Sequence, residues 1–357
     1  MQRPMRRIGR SGHAVTVQAR TQLRQAARIA ETELTRLQSR RNEADVAVFH
    51  EFVPAPTGGG SQFLRALVGE LRRRGLQVEI GQISGRTPVC LFNSFNFDLW
   101  RLRRFARADC RMVHRVDGPI GTYRGFDDGT DRRILAANNR LADATILQSQ
   151  YSLAKHRQLG LEPRNPVVIP NTVDPAIFHP PAEREPIGNR KVKLIASSWS
   201  DNLRKGAATI AWLDTHLDHG RYELAFVGRS PIRFQHATMI DPVPSEPLAE
   251  LLRVHDIYIA PSLDDPCSNA LLEALACGLP AAYAESGGHP ELVGQAGLPF
   301  TTTEELPDLL DQLTDELEVR RGAIAIPALA DITDRYLAVL LDETHEAHDD
   351  LETLLGR

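Results

Sequence analysis

The sequence predicts an α/β protein of two doubly wound domains facing each other across a cleft. Three observations carry this expectation. Short apolar runs alternate with amphipathic segments, the pattern of parallel strands covered by helices. The pattern occurs twice, on either side of a polar, proline-rich stretch at residues 170–189, PNTVDPAIFHPPAEREPIGN, that suits a linker. At 357 residues the chain is long enough for two such domains.

Residues 1–43 form a basic extension, with ten Arg and three Glu but no Lys or Asp. The first dozen residues read as disordered. Val15 to Ser39 reads as a helix in which Leu23, Ala27, Leu34 and Leu37 make a thin apolar stripe. The extension is either a solvated, partly helical tail or an arm that docks on an acidic protein partner or an anionic membrane surface. The first domain, 44–172, opens with the strand ADVAVFH, the turn EFVPAPTGGGSQ and the helix FLRALVGELRRRG, ended by Gly75. QVEIGQI, PVCLFN, CRMVHRVDG, ATILQS and NPVVIP follow as strands, alternating with the helices FDLWRLRRFARAD, RRILAANNRLAD and QYSLAKHRQLG. The second domain, 173–328, repeats the theme. KVKLIASS, YELAFVG, DIYIAPS and LPAAYAE are strands, and GAATIAWLDTHL and EPLAELLRVH are helices. Residues 329–357 read as closing helices.

Composition narrows the function classes. A net charge of -4 argues against a general nucleic-acid binder. No stretch approaches the roughly 18 apolar residues of a transmembrane helix, and the N-terminal arginines are not followed by a signal-peptide apolar centre. Cys90, Cys110, Cys267 and Cys277 lack CxxC spacing and read as reduced thiols of a cytoplasmic protein. Arginine outnumbers lysine 38 to four, so a lysine at a strand-to-helix junction, Lys205, stands out.

Candidate site residues gather at the C-terminal ends of the expected strands, the edge at which open α/β sheets bind ligands. DIYIAPS leads into a polar turn and then a helix over Ser268–Cys277 with a capping start. Asp265 in the turn and Glu273 in the helix can face one ligand. Asn269 lies one turn before Glu273 on the same stripe, and the helix N-terminus at Ser268 offers N–H groups to a phosphate. Gly58, Gly59 and Gly60 sit between the first strand and the first helix, where bare backbone can approach an anion. They complete neither a dinucleotide fingerprint nor a P-loop. CRMVHRVDG ends in Asp117 at the cleft, and strand alternation turns His114 to the other face. Arg204 and Lys205 in SSWSDNLRKG mark another strand-to-helix junction. SGGHPELV supplies the turn Gly287–Gly288 and Glu291, which can cap helix N–H groups.

As a set these motifs resemble the donor site of retaining GT-B glycosyltransferases of glycosyltransferase family 4, the glycosyl transferases group 1. Glu273, ALACGLP and SGGHPE match the family pattern. Asp265 stands where the family has Glu, and Trp199 where it has Arg. PNTVDPAIFHP is similar to the family's hinge. The resemblance, over roughly residues 44–345, implies transfer of a sugar from a nucleotide-sugar donor to an acceptor with retention of anomeric configuration. It implies that Glu273 binds ribose hydroxyls, that Asp265 binds sugar hydroxyls, and that Lys205 with Arg204 or Arg229 neutralises the diphosphate. Ser268, Asn269, Gly287 and Gly288 would border the donor, and Gly58 to Gly60 the diphosphate or acceptor. Asp117 or His114 would stand near the reactive carbon. Tyr336 to Leu355 would cross back to the first domain. No convincing zinc, Ser-His-Asp or DxD-type pattern occurs, so chemistry without metal or other cofactor is expected. The acceptor is a saccharide, a lipid-linked molecule or a small molecule, with polysaccharide synthesis the family's commonest setting. The place of action is the cytoplasm, at the inner membrane face if the arm docks there. A nucleotide-sugar epimerase on the same architecture, or a non-catalytic sugar-nucleotide-binding subunit, stays open.

Overall fold

A computed structural model describes residues 11–53 and 59–342. Among the described residues two six-stranded sheets form, every paired strand parallel. The first contains β1 (Val46–Phe49), β2 (Val78–Ile80), β3 (Val89–Asn93), β4 (Arg111–Val116), β5 (Ala144–Leu147) and β6 (Pro166–Val168), in the order β2-β1-β3-β4-β5-β6. The second contains β7 (Val192–Ser198), β8 (Tyr222–Gly228), β9 (Thr238–Ile240), β10 (Ile257–Ala260), β11 (Ala281–Ala284) and β12 (Gly297–Phe300), in the order β12-β11-β10-β7-β8-β9.

The expected strands match, because strands covered by helices on both faces are apolar almost throughout. β3 and β10 are buried along their whole length. The sequence reading has no counterpart for β9 and β12, the two edges of the second sheet. TMI is too short to show a period, and GLPF carries a proline that only an edge tolerates.

Strand order decides where a ligand can sit. It reverses between β1 and β3 in the first sheet and between β7 and β10 in the second. Loops leaving such strands diverge to opposite faces and open a crevice. The β7 and β10 loops carry Lys205 and Asp265.

The helix Leu329–Leu341 packs on the first sheet. Ile332, Tyr336, Val339 and Leu340 join Leu64, Leu67, Leu91 and Val113 in one core, and Thr172 Oγ1 donates to Pro327 carbonyl at 2.6 Å where the chain returns. This helix, expected to cross back over Tyr336 to Leu355, packs on the first domain as far as Leu341. Residues 343–357 lie outside the described residues.

The N-terminal helix runs Ser11–Gln38. It is tied to the first domain more firmly than a solvated tail. Gly85 N–H donates to Ser39 carbonyl at 3.0 Å, and a Cβ on Gly85 would stand 2.0 Å from Arg40 carbonyl oxygen. Of the first dozen residues, expected to be disordered, Ser11 and Gly12 open this helix and residues 1–10 lie outside the described residues. Among those described, no helix is long and apolar enough to cross a membrane.

Candidate active site

The floor of the crevice is an ion pair. Asn202 Oδ1 accepts from Arg204 N–H at 3.0 Å and starts the short 3-10 turn Leu203–Lys205. The turn ends at Gly206, with φ +82°, where a Cβ would lie 2.5 Å from Pro261. Only glycine fits, so β7 hands over to its helix directly against β10. That contact sets Lys205 Nζ 2.7 Å from Asp265 Oδ2. The other Asp265 oxygen accepts from Cys267 N–H at 3.3 Å. Burial disfavours both charges, yet the partnership wins: Lys205 is held above and Asp265 below its usual range. Lys205 remains one-third exposed, leaving ammonium protons for a ligand.

Gly287 and Gly288 support Asp265. A Cβ on Gly287 would come 2.3 Å from Asp265 carbonyl oxygen, and one on Gly288 2.3 Å from Pro266 carbonyl oxygen. Gly288 N–H already donates to Asp265 carbonyl at 2.8 Å. The glycine turn therefore braces the acidic loop.

The two arginine candidates part ways. Arg204 is bound to Asp264, whose other oxygen accepts from Tyr151 hydroxyl. Arg229 follows β8, is exposed, and has no side-chain partner among the described residues, while its N–H bonds Ser198 carbonyl at 2.7 Å. Trp199 packs partly buried against the core.

Glu273 is the most unusual group. Ser268 caps the helix Asn269–Ala276, and Glu273 on its second turn is 5% exposed. Its Oε2 is buried without a hydrogen-bond partner among the described residues, and burial raises its pKa to about 8. A cavity of about 350 Å³ is lined by Glu273 and Asn269, by Phe63 and Arg65 from the first domain, and by Val173 and Ser245 among others. A carboxylate oriented into such a space awaits donors.

On the first-domain side Asp117 reaches the cleft. Its carboxylate accepts from Ser94 Oγ at 2.8 Å, Arg115 Nη1 at 3.0 Å and Gln148 Nε2. His114 lies on the opposite face, as alternation predicts. It is fully buried, stacked on Phe92 at 4.1 Å, with Nε2 against Ser94 carbonyl and Nδ1 against Asn138. Burial lowers its pKa to about 4, so it is a neutral core residue and not a cleft group. The helix expected to begin at Phe63 begins at Gly59, which makes Gly59 and Gly60 its first turn. Gly58 lies outside the described residues.

Arg115, Asn171, Tyr151 and Glu291 help tie the domains together without having been singled out for that task. Arg115, fully buried in β4, spans Asn93 at 2.5 Å, Asp117, and Asn171 at 2.8 Å, and stacks over Phe63 at 5.2 Å. An arginine inside an apolar strand was the available signal. Asn171 Nδ2 passes the link to Asn269 at 3.1 Å. Tyr151 reaches Asp264. Glu291 caps a helix as expected, but the helix Gln150–Gln158 belongs to the first domain: its N–H groups at Gln150 and Tyr151 meet Glu291 at 2.8 and 2.7 Å. Among the described residues no group of three His, Cys, Asp or Glu is arranged to hold a metal.

Comparison with known proteins bears on the fold. Residues 208–316 match the family model described as Glycosyl transferases group 1. No curated protein sequence matches the chain. Sucrose-phosphate synthase from Thermosynechococcus elongatus superposes with a TM-score of 0.62 and 16% identity, over 88% of this chain and 99% of that one. The catalytic domain of starch synthase IV from Arabidopsis thaliana, solved with ADP and acarbose, gives 0.63 and 11% over 83% and 98%. Anabaena HepE, solved with UDP and glucose, gives 0.57 and 16% over 87% and 100%. At these identities the likeness establishes the fold, the GT-B pair of Rossmann-like domains.

Proposed function

We propose that the chain transfers a sugar from a nucleoside-diphosphate sugar to an acceptor, with retention of anomeric configuration and without a metal. One observation carries the reading: the carboxylate of Glu273, with an oxygen unpartnered among the described residues, in a cavity between the domains. The family match over residues 208–316, which span Glu273, supports it. So do the nucleotides in two structures of the same fold, UDP in HepE and ADP in starch synthase IV.

In this reading the nucleoside enters the cavity and its ribose hydroxyls donate to Glu273. The diphosphate lies at the ends of β7 and β8, against Lys205 and Arg229, and the sugar hydroxyls lie at Asp265. As the bond from anomeric carbon to phosphate oxygen breaks, negative charge grows on the leaving diphosphate. Fixed cations meet it without reorganisation. The acceptor hydroxyl approaches past Gly60 and the end of β4, from the face the diphosphate leaves, and its proton passes to the departing phosphate oxygen. Asp117, already accepting from three donors, shapes this side and does not act as base.

Thermal denaturation with UDP, GDP, ADP and their glucose conjugates tests the reading, since a ligand of the folded state raises the transition. At least one diphosphate is expected to raise it in wild type and much less in Glu273→Gln. No response to any of them would overturn the reading.

A further inference from the structure

The helix Ser11–Gln38 is mounted with its polar side inward. Arg28 pairs with Asp98 at 3.0 Å, Glu33 accepts from Arg104 Nε at 2.6 Å, and Thr32 is buried. The opposite side carries Leu23, Ala27, Ala30, Leu34 and Leu37, spaced alternately four and three residues apart. That is the a/d spacing of a two-stranded coiled coil. The leucines are exposed by 70, 56 and 54%, and both alanines are exposed. A helix of a globular protein turns this stripe to the core. Here it faces away.

We propose that this seam docks on the same seam of a second copy of the chain, the two helices running antiparallel. The stripe is a narrow two-position seam without aromatic residues, unlike the broad apolar face that enters a lipid interface. Charge sets the direction. In the antiparallel register that puts Leu23 against Leu34 of the second copy, Ala27 meets Ala30 at the centre, and these small side chains let the backbones approach. Arg24 then lies beside Glu31 of the second copy. Two-fold symmetry forms the pair twice. A parallel register would set Arg24 by Ala19 and Glu31 by Ala26, with no charge pair. The seam shares no residue with the site at Glu273, Lys205 and Asp265, so it stands or falls separately from the donor site.

The test is sedimentation equilibrium of the full chain at micromolar concentrations. Wild type is expected to dimerise, and Leu23→Glu with Leu34→Glu to be monomeric with an unchanged melting transition. Arg24→Glu and Glu31→Arg each reverse two pairs and should weaken the dimer on the order of tenfold. Combined in one chain they should restore it. A monomeric wild type overturns the proposal, as does a double charge reversal no better than the singles. Co-flotation of a monomeric wild type with phosphatidylglycerol vesicles, lost in the leucine variant, would instead assign the seam to a lipid surface.

Discussion

Gly118 and Pro266 meet across the cleft so closely that a Cβ on Gly118 would stand 2.7 Å from the proline Cβ. Gly118 follows β4 of the first domain, and Pro266 follows Asp265 of the second. Glu291, Tyr151 and Asn171 hold the same closure by hydrogen bonds, and Asn202 Nδ2 adds one to Tyr123 carbonyl at 3.0 Å.

Gly118→Ala should force the domains apart at this point, because a proline ring cannot move aside as a flexible side chain can. Overpacking of this kind typically costs about 1–3 kcal/mol. The donor residues stay on the second domain, so nucleoside-diphosphate binding should persist while transfer to acceptor falls. Small-angle scattering and turnover together check this. An unchanged radius of gyration with full turnover would refute it.

Glu273 predicts a pH dependence of opposite sign for stability and for binding. Its folded pKa, about 8, lies above the ordinary 4.5. Below 4.5 both folded and unfolded forms are protonated and no penalty arises. Between 4.5 and about 8 the unfolded state ionises first, so stability falls as pH rises. Ribose hydroxyls favour the carboxylate, so nucleotide binding should release a proton and tighten over the same window. Calorimetry in two buffers of different ionisation enthalpy measures that proton. Glu273→Gln should abolish both slopes and weaken binding by roughly 1.5–3 kcal/mol, the range for a charged hydrogen bond. A proton count of zero in wild type at pH 6.5 would reject the assignment.

Lys205→Ala should lower turnover at saturating donor by on the order of 10²–10³, the usual cost of one transition-state charge stabiliser. It should also strip Asp265 of its partner. Asp265 is held below its usual range, so in wild type its stabilising contribution is present above the unfolded pKa of 3.8 and lost as pH falls through the folded value. In the variant that contribution should be missing at neutral pH. Wild-type activity should survive a chelator. Collapse in the chelator, or normal turnover of the variant, would remove Lys205 from the mechanism.

Arg229→Ala should weaken nucleoside-diphosphate binding more than nucleoside binding, whereas Arg204→Ala should chiefly disturb Asp264 and Tyr151. Titrating both variants with the diphosphate and the bare nucleoside separates the roles. Equal losses for the two ligands in Arg229→Ala would place Arg229 away from the phosphates.

Much of this was legible in the chain, and what was not has physical causes. Helix-covered strands such as VCLFN and IYIA advertise themselves by unbroken apolarity, while TMI and GLPF, at an edge, do not. The first helix begins four residues before its apolar pattern, because Gly59, Gly60, Ser61 and Gln62 carry no hydrophobic signal. Strand alternation assigned His114 and Asp117 to opposite faces. The bond between Lys205 and Asp265 joins residues 60 apart, a distance over which periodicity is silent. Spacing singled out Glu273, but its burial without a partner among the described residues involves Phe63 and Arg65 of the other domain, which line the same cavity.

The return of Leu329–Leu341 to the first sheet inverts the order in which the molecule can be completed during synthesis. Strands β1 to β6 leave the ribosome first, yet the face formed by Leu64, Leu67 and Val113 stays bare until Tyr336 emerges. The second sheet has all its strands by Phe300. The later half can therefore consolidate first, and the earlier half waits with an apolar face uncovered, the state in which nascent chains aggregate or recruit chaperones. A stop codon at Leu329 should cost the N-terminal half its solubility while sparing the half in which the helix is encoded.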